Sequence, residues 1–177
     1  MAAAANLSMT ELATLDVIPA GPRPISPAEL LHGDRFSELL SWAEWRAHGE
    51  PLAYLEGQVG FFGLEFAVDS RVLVPRADSE CLVEAGLQFL AESASPSVLD
   101  IGAGSGCLLL ATLVNHETAI GVGVDSSADA LEVAAANGES LGLSTRASFH
   151  QGQWLSSLDA EPFDLILCNP PYVHPGE

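Results

Sequence analysis

Apolar and polar residues change their period several times along the chain, and each change marks an element. Up to about residue 27 there is no period: an Ala-rich opening runs into the Pro-rich PAGPRPISP, which predicts a weakly ordered or short helical lead-in. Ser26-Pro27 then supplies a cap followed by proline in a first helical turn. From Ala28 to His48, residues Leu30, Leu31, Phe36, Leu39, Leu40, Trp42 and Trp45 recur at helical spacing, interrupted by His32-Gly33-Asp34. Two short amphipathic helices are expected, with both tryptophans packed in a core. Around Gly63 the period shortens to two: Phe61 to Phe66 and Val68 to Val74 alternate, predicting a β-hairpin that Pro75 ends. Helical period returns from Ser79, a candidate cap, to about Glu92.

Beyond Ser97 the pattern becomes α/β. SVLDI, AIGVGVD, ASFHQGQW and FDLILC read as strands, and CLLLATLVNH and SADALEVAAANGESLG as helices between them. Strands of continuous apolar character separated by helices imply a parallel sheet covered on both faces. In an open sheet of this kind the expected order is 3-2-1-4, with the ligand crevice between the ends of strands one and four.

Charge narrows the choice of partner. There are 24 Asp+Glu against 6 Lys+Arg, a net charge of −18, and all six cations are arginines. Only 17% of residues are charged, so the imbalance comes from missing cations. Affinity for a phosphate backbone rests on Lys and Arg displacing counterions, which argues against direct nucleic-acid or anionic-membrane binding. A cationic small molecule or a basic protein surface fits better. Cys81, Cys107 and Cys168 lack metal-ligand spacing and read as small core residues in a reducing compartment; no metal is expected. No apolar run is long enough for a membrane span. With no basic residue before Arg23, the opening fits neither a secretory nor a transit peptide, and a cytoplasmic location is expected.

Two motifs carry chemistry. Asp100-Ile101-Gly102-Ala103-Gly104-Ser105-Gly106 leaves the first α/β strand and enters a helix directly, so glycines permit a tight turn and close approach of a ligand to free N–H groups. A dinucleotide loop would read G-x-G-x-x-G, but Cys107 occupies its sixth position, and the spacing better suits a nucleoside-type ligand without pyrophosphate. Asp125 ends the next strand, where an acid can hold both ribose hydroxyls of an adenosine. Asp100 is either a second ligand contact or a cap for the loop amides. The second motif, Asn169-Pro170-Pro171-Tyr172, ends the fourth strand. Proline fixes φ and removes a donor, so the Pro170 carbonyl and the Asn169 side chain offer two acceptors for a planar –NH₂, with Tyr172 as a flat surface beside it.

LDIGAGSG, Asp125 in VDSSADALEVAAAN, and NPPY together resemble the class I S-adenosylmethionine-dependent methyltransferases, NPPY those that methylate a planar amide or amino nitrogen. Upstream, GEPLAYLEGQVGFFGLEFAVDSRVLVPRADSECLVE is similar to the segment before the catalytic domain of HemK/PrmC-type release-factor glutamine methyltransferases. The resemblance runs from about Ala47 to Pro175. It implies a Rossmann-like sheet, S-adenosylmethionine as cofactor, and methyl transfer to a glutamine side-chain amide of a peptide chain release factor. It also implies that Asp100, Gly102, Ala103, Gly104, Ser105 and Gly106 cradle the cofactor, with Asp125 on its ribose and Gln153 and Trp154 near its adenine. Asn169, Pro170, Pro171 and Tyr172 would hold the glutamine, with Asn169, Pro170 and Tyr172 carrying catalysis and Asn169 also bordering the cofactor.

The implied domains are a helical substrate-recognition segment over 1–58, a hairpin linker over 59–76 and a partial methyltransferase domain over 77–177. Two departures stand out: Gln153 replaces an acid, and Ala77-Asp78-Ser79-Glu80 replaces Pro-Glu-Thr-Glu. The family continues well beyond NPPY. An incomplete sheet of four strands is therefore expected, self-associating through its last strand and transferring little methyl on its own. Competing readings are a ribosomal-protein glutamine methyltransferase, against which Gly57 after AYLE and the ADSECLVE segment speak, and a paralogue that binds cofactor or partner without turnover.

Overall fold

In the computed structural model, which describes residues 34–153 and 162–169, the chain divides into two compact units, Met1–Glu50 and Pro51–Glu177. The first contains helix α1, Asp34–Ala47, the second of the two helices the pattern predicts. The lead-in, the Ser26-Pro27 cap and the helix expected before Gly33 lie outside the described residues. Leu39, Trp42 and Ala43 form a half-buried stripe at helical spacing. Trp45 falls past that stripe in the last turn and is 57% exposed, not packed in a core as expected.

The second unit opens with a short helix α2, Leu52–Glu56, and a hairpin of β1, Gln58–Phe61, and β2, Leu64–Ala67. Phe61 pairs with Leu64 across a two-residue turn in which Phe62 has φ 51° and Gly63 φ 73°. Positive φ at both central positions matches the twist of the flanking strands. The hairpin therefore sits earlier than the alternation suggests, and Val68–Val74 is irregular instead of forming a strand. Packing explains the difference: Val68 and Val72 are buried against Ala130 and Val133, and the Tyr54 hydroxyl donates to the Val72 carbonyl at 2.6 Å. Val68 and Val72 are buried by a helix, with no strand partner needed.

A 3₁₀ turn, Ala77–Ser79, leads into α3, Glu80–Leu90. Then follow β3, Ser97–Ile101; α4, Cys107–Asn115; β4, Ile120–Asp125; α5, Ala128–Ser140; β5, Ala147–Gln151; and β6, Leu165–Cys168. The four strands pair in parallel in the order β5-β4-β3-β6, the 3-2-1-4 arrangement expected. Helix α4 packs against α3, β3, β4 and α5, and Leu108 to Leu113 are all buried. A helix covered on most sides has no use for a polar stripe, which is why CLLLATLVN lacks one. At Gly123 a Cβ would stand 2.6 Å from the Phe149 ring and 3.1 Å from the Ala103 Cβ. Glycine there lets β5 and the loop after β3 close on the centre of the sheet. Among the described residues β6 pairs with β3 alone, and its Ile166 is 53% exposed. No helix among the described residues is long and apolar enough to cross a membrane.

Candidate functional site

Strand register brings the chemistry-bearing residues together. Ile101 pairs with Val124 on one side and Cys168 on the other, and Asp125 pairs with Gln151. Gly102, Asp125, Gly152 and Asn169 therefore stand at the same carboxyl edge of the sheet. Chain order reverses between β3 and β6, and ligands of open α/β sheets bind at such a reversal.

The glycine loop folds back over β4, with the Gly102 and Ala103 N–H groups both donating to the Val124 carbonyl at 2.8 and 3.1 Å. Gly102, Gly104 and Gly106 all have positive φ, at 77°, 53° and 78°. At Gly106, which precedes α4, φ is positive and a Cβ would lie 3.0 Å from Leu110 and 3.2 Å from Ala134, so conformation favours glycine and the space is tight. At Gly102 and Gly104 nothing among the described residues lies within 4 Å of a Cβ position, leaving the loop's outer surface open to them. Asp125 fastens this loop: one carboxylate oxygen accepts the Gly104 N–H and the other the Ser127 N–H, each at 2.9 Å. A carboxylate has about four acceptor positions, so two remain for further donors. Ser127 in turn caps α5 by accepting the Ala130 N–H.

Asp100 is completely buried, and neither carboxylate oxygen has a hydrogen-bond partner among the described residues. It is thus not a cap for the loop amides, one of the two roles its position allowed. Burial pushes its pKa up to about 7; the Leu109 N–H, short of a formed hydrogen bond, pulls the other way, and the Asp125 charge adds to the rise. The surroundings also resist new negative charge on the thiols. Burial raises Cys107 to about 12, with Ser105 opposing and Asp100 reinforcing, and burial with Asp100 raises Cys168. Cys81, expected in the core, is exposed on α3, with its thiol turned to the Asp78 carbonyl.

Three further residues hold the site and were not singled out for it. Asn137, 1% exposed in the middle of α5, donates to the carbonyls of Ala67 at 3.1 Å and Ser105 at 2.9 Å and accepts the Ala67 N–H at 2.8 Å. It fastens the foot of the hairpin to the glycine loop; the signal was a polar residue among the alanines of AAAN. Ser79 makes no capping bond to α3, contrary to expectation, because the preceding 3₁₀ turn already puts its backbone in the helical region. Its hydroxyl accepts the Asn169 side-chain amide at 3.0 Å. Glu80 accepts the Phe62 N–H at 2.8 Å, at the hairpin's tip. Gln153 is exposed just beyond β5. Trp154, Pro170, Pro171 and Tyr172 lie outside the described residues.

Comparison with known proteins gives the chain a family. Residues 79–177 match the family model of the methyltransferase small domain. The chain is 36% identical over 170 residues to a release factor glutamine methyltransferase of Caulobacter vibrioides, covering 96% of this chain and 55% of that protein. Against the release factor glutamine methyltransferase of Rhodospirillum rubrum it is 46% identical over 124 residues, 70% of this chain and 38% of that one. The chain spans about half the length of the curated relatives it matches. The solved structure of human methyltransferase 10 domain containing protein is similar in fold, with a TM-score of 0.53 at 18% identity over 64% of this chain and 57% of that one.

Proposed function

The chain belongs to the methyltransferase small domain family, and we propose that it carries the S-adenosylmethionine site and acceptor site of a release-factor glutamine methyltransferase. The observation that carries the reading is the register of β3 against β6, because Ile101↔Cys168 makes the glycine loop and Asn169 adjacent exits from one sheet edge. The residues present suit a cationic nucleoside ligand. Two acids, one of them buried with no hydrogen-bond partner among the described residues, create a demand for positive charge, and the open outer surface of the loop leaves room beside them.

When bound, S-adenosylmethionine supplies an activated methyl group on a sulfonium. Gly102 to Gly106 and Ala103 and Ser105 between them form the cradle, and Asp125 takes the ribose hydroxyls with the acceptor positions its loop contacts leave over. Asp100 would offer negative charge to a cation, and Gln153 and Trp154 would serve the adenine. Asn169 and the Pro170 carbonyl would grip both hydrogens of the substrate amide, with Pro171 and Tyr172 completing the acceptor site. An amide nitrogen is a weak nucleophile because its lone pair is delocalised into the carbonyl. Two acceptors on its hydrogens favour a more pyramidal, electron-rich nitrogen and hold it in line for transfer, so catalysis is positioning and electrostatics. The proton displaced from nitrogen is acidic enough to pass to water without a strong base.

In the same reading residues 1–58 recognise the protein substrate, 59–76 link it to the site, 77–177 house the chemistry, and the location is cytoplasmic. The net charge of −18 disfavours nucleic acid as the acceptor. Methyl-labelled cofactor, offered with the full-length protein in parallel to release factor, ribosomal protein and nucleic acid, tests the proposal. Label in the release factor alone is expected, and label in either of the others would replace the substrate assignment.

A further inference from the structure

The tetrapeptide Ala77-Asp78-Ser79-Glu80 takes no part in the chemistry above, yet it touches the site. Serine at a helix start ordinarily caps the free N–H groups. Ser79 does not: its backbone is at φ −78°, ψ −11°, and its side chain makes no capping bond. The hydroxyl instead receives the Asn169 Nδ2 at 3.0 Å from a residue 90 positions along the chain. The turn that carries Ser79 is itself anchored, because Glu80 accepts the Phe62 N–H at 2.8 Å. That N–H belongs to the residue the hairpin turn holds at φ 51°.

We propose that Ser79 is a positioning residue for the acceptor amide: its hydroxyl fixes the rotation of the Asn169 carboxamide, and so the direction in which Asn169 Oδ1 meets the substrate –NH₂. The inference rests on the assignment of Asn169 to the substrate amide. A carboxamide is flat, with its donor nitrogen and acceptor oxygen in one rigid plane, so anchoring the nitrogen aims the oxygen. The terminal torsion of a carboxamide is intrinsically broad and roughly two-fold, and the bond to Ser79 narrows it. One of its orientations exchanges nitrogen and oxygen and turns a donor toward the substrate's own donors.

The test compares wild type, Ser79→Ala and Ser79→Thr in the full-length protein. It uses the ¹⁵N–¹H resonances of the Asn169 side chain, calorimetric titration with S-adenosylhomocysteine, and kcat and KM for release factor. Ser79→Ala is expected to displace the Asn169 amide resonances and lower kcat about tenfold, the kinetic equivalent of one hydrogen bond. S-adenosylhomocysteine affinity should stay within about twofold, since the contact made by Ser79 is to the acceptor side. Ser79→Thr keeps the hydroxyl and should restore both resonance and kcat. Wild-type resonances and kcat in Ser79→Ala, or a loss that Ser79→Thr does not recover, would overturn the proposal. Should the wild type transfer no methyl to release factor, the function assigned above fails. The Asn169 resonances would still decide the Ser79 contact, unchanged ones rejecting it and displaced, threonine-rescued ones supporting it.

Discussion

Replacing Asp100 by Asn removes an ionisable group from the middle of β3 while keeping its shape, and the consequence is a change in how stability depends on pH. Burial pushes the Asp100 pKa up to about 7 from an ordinary 3.8, and among the described residues its carboxylate has no hydrogen-bond partner. Between those two values the folded chain holds a proton that the unfolded chain has released. Stability contributed by this group is therefore full below about pH 4, falls as pH rises, and levels off above about pH 7. A rise of about three pH units, at about 1.4 kcal/mol for each, makes roughly 4 kcal/mol across that window. The substituted side chain would bring a constant offset, since its amide also lacks partners, but no slope. The other acids are the same in both proteins, so the difference between wild type and Asp100→Asn isolates this one. Urea midpoints for the ligand-free chain from pH 4.5 to 8 supply the assay, and the variant should gain on the wild type steadily up to about pH 7. Parallel curves would show that Asp100 is solvated or paired when folded, and would remove the argument that the site lacks positive charge.

The same group links pH to ligand. A cation beside Asp100 favours its ionised form, so S-adenosylmethionine affinity should rise with pH and level off near 7 in the wild type, and a flat profile would place the positive charge elsewhere. Asn137→Ala deprives the Ala67 N–H and the Ala67 and Ser105 carbonyls of their partner, and at about 1 kcal/mol for each group the loss should be near 3 kcal/mol by chemical denaturation. A loss under about 1 kcal/mol would mean that water replaces the amide. Asp125→Ala should weaken S-adenosylhomocysteine binding at least about tenfold in calorimetry, because bonds to a charged acceptor are worth about 1.5–3 kcal/mol; unchanged affinity would sink the ribose assignment. Asn169→Ala should abolish transfer and spare cofactor affinity, while turnover within about threefold of wild type, less than about 1 kcal/mol of barrier, would make Asn169 a structural residue.

Strand order and the placement of Gly102, Asp125 and Asn169 could be read from the sequence because each rests on a local rule. Apolar runs between helices imply a parallel sheet, a glycine run after a strand forms a tight turn, and the doubly wound order 3-2-1-4 sets strands one and four side by side. The misjudged places all depend on contacts distant in sequence. Val68–Val74 alternates like a strand, but its Val68 and Val72 are buried by α5, which begins more than fifty residues later. Ser79 sits where a cap belongs, yet its hydroxyl is committed to Asn169 across 90 residues. Asn137 reads as an ordinary interruption of an alanine-rich helix until the hairpin and glycine loop are brought to either side of it. Asp100 had two roles open to it, and only its burial, set by the neighbouring strands and α4, removed one.

That one crevice holds both the methyl donor and a glutamine amide is most directly tested by a crystal structure of the full-length protein with S-adenosylhomocysteine and a glutamine-bearing peptide from a release factor. The expected result has the ribose hydroxyls on Asp125, the glutamine –NH₂ on Asn169 Oδ1 and the Pro170 carbonyl, and its nitrogen directed at the cofactor sulfur. A glutamine bound away from Asn169, or a cofactor whose ribose avoids Asp125, would contradict it.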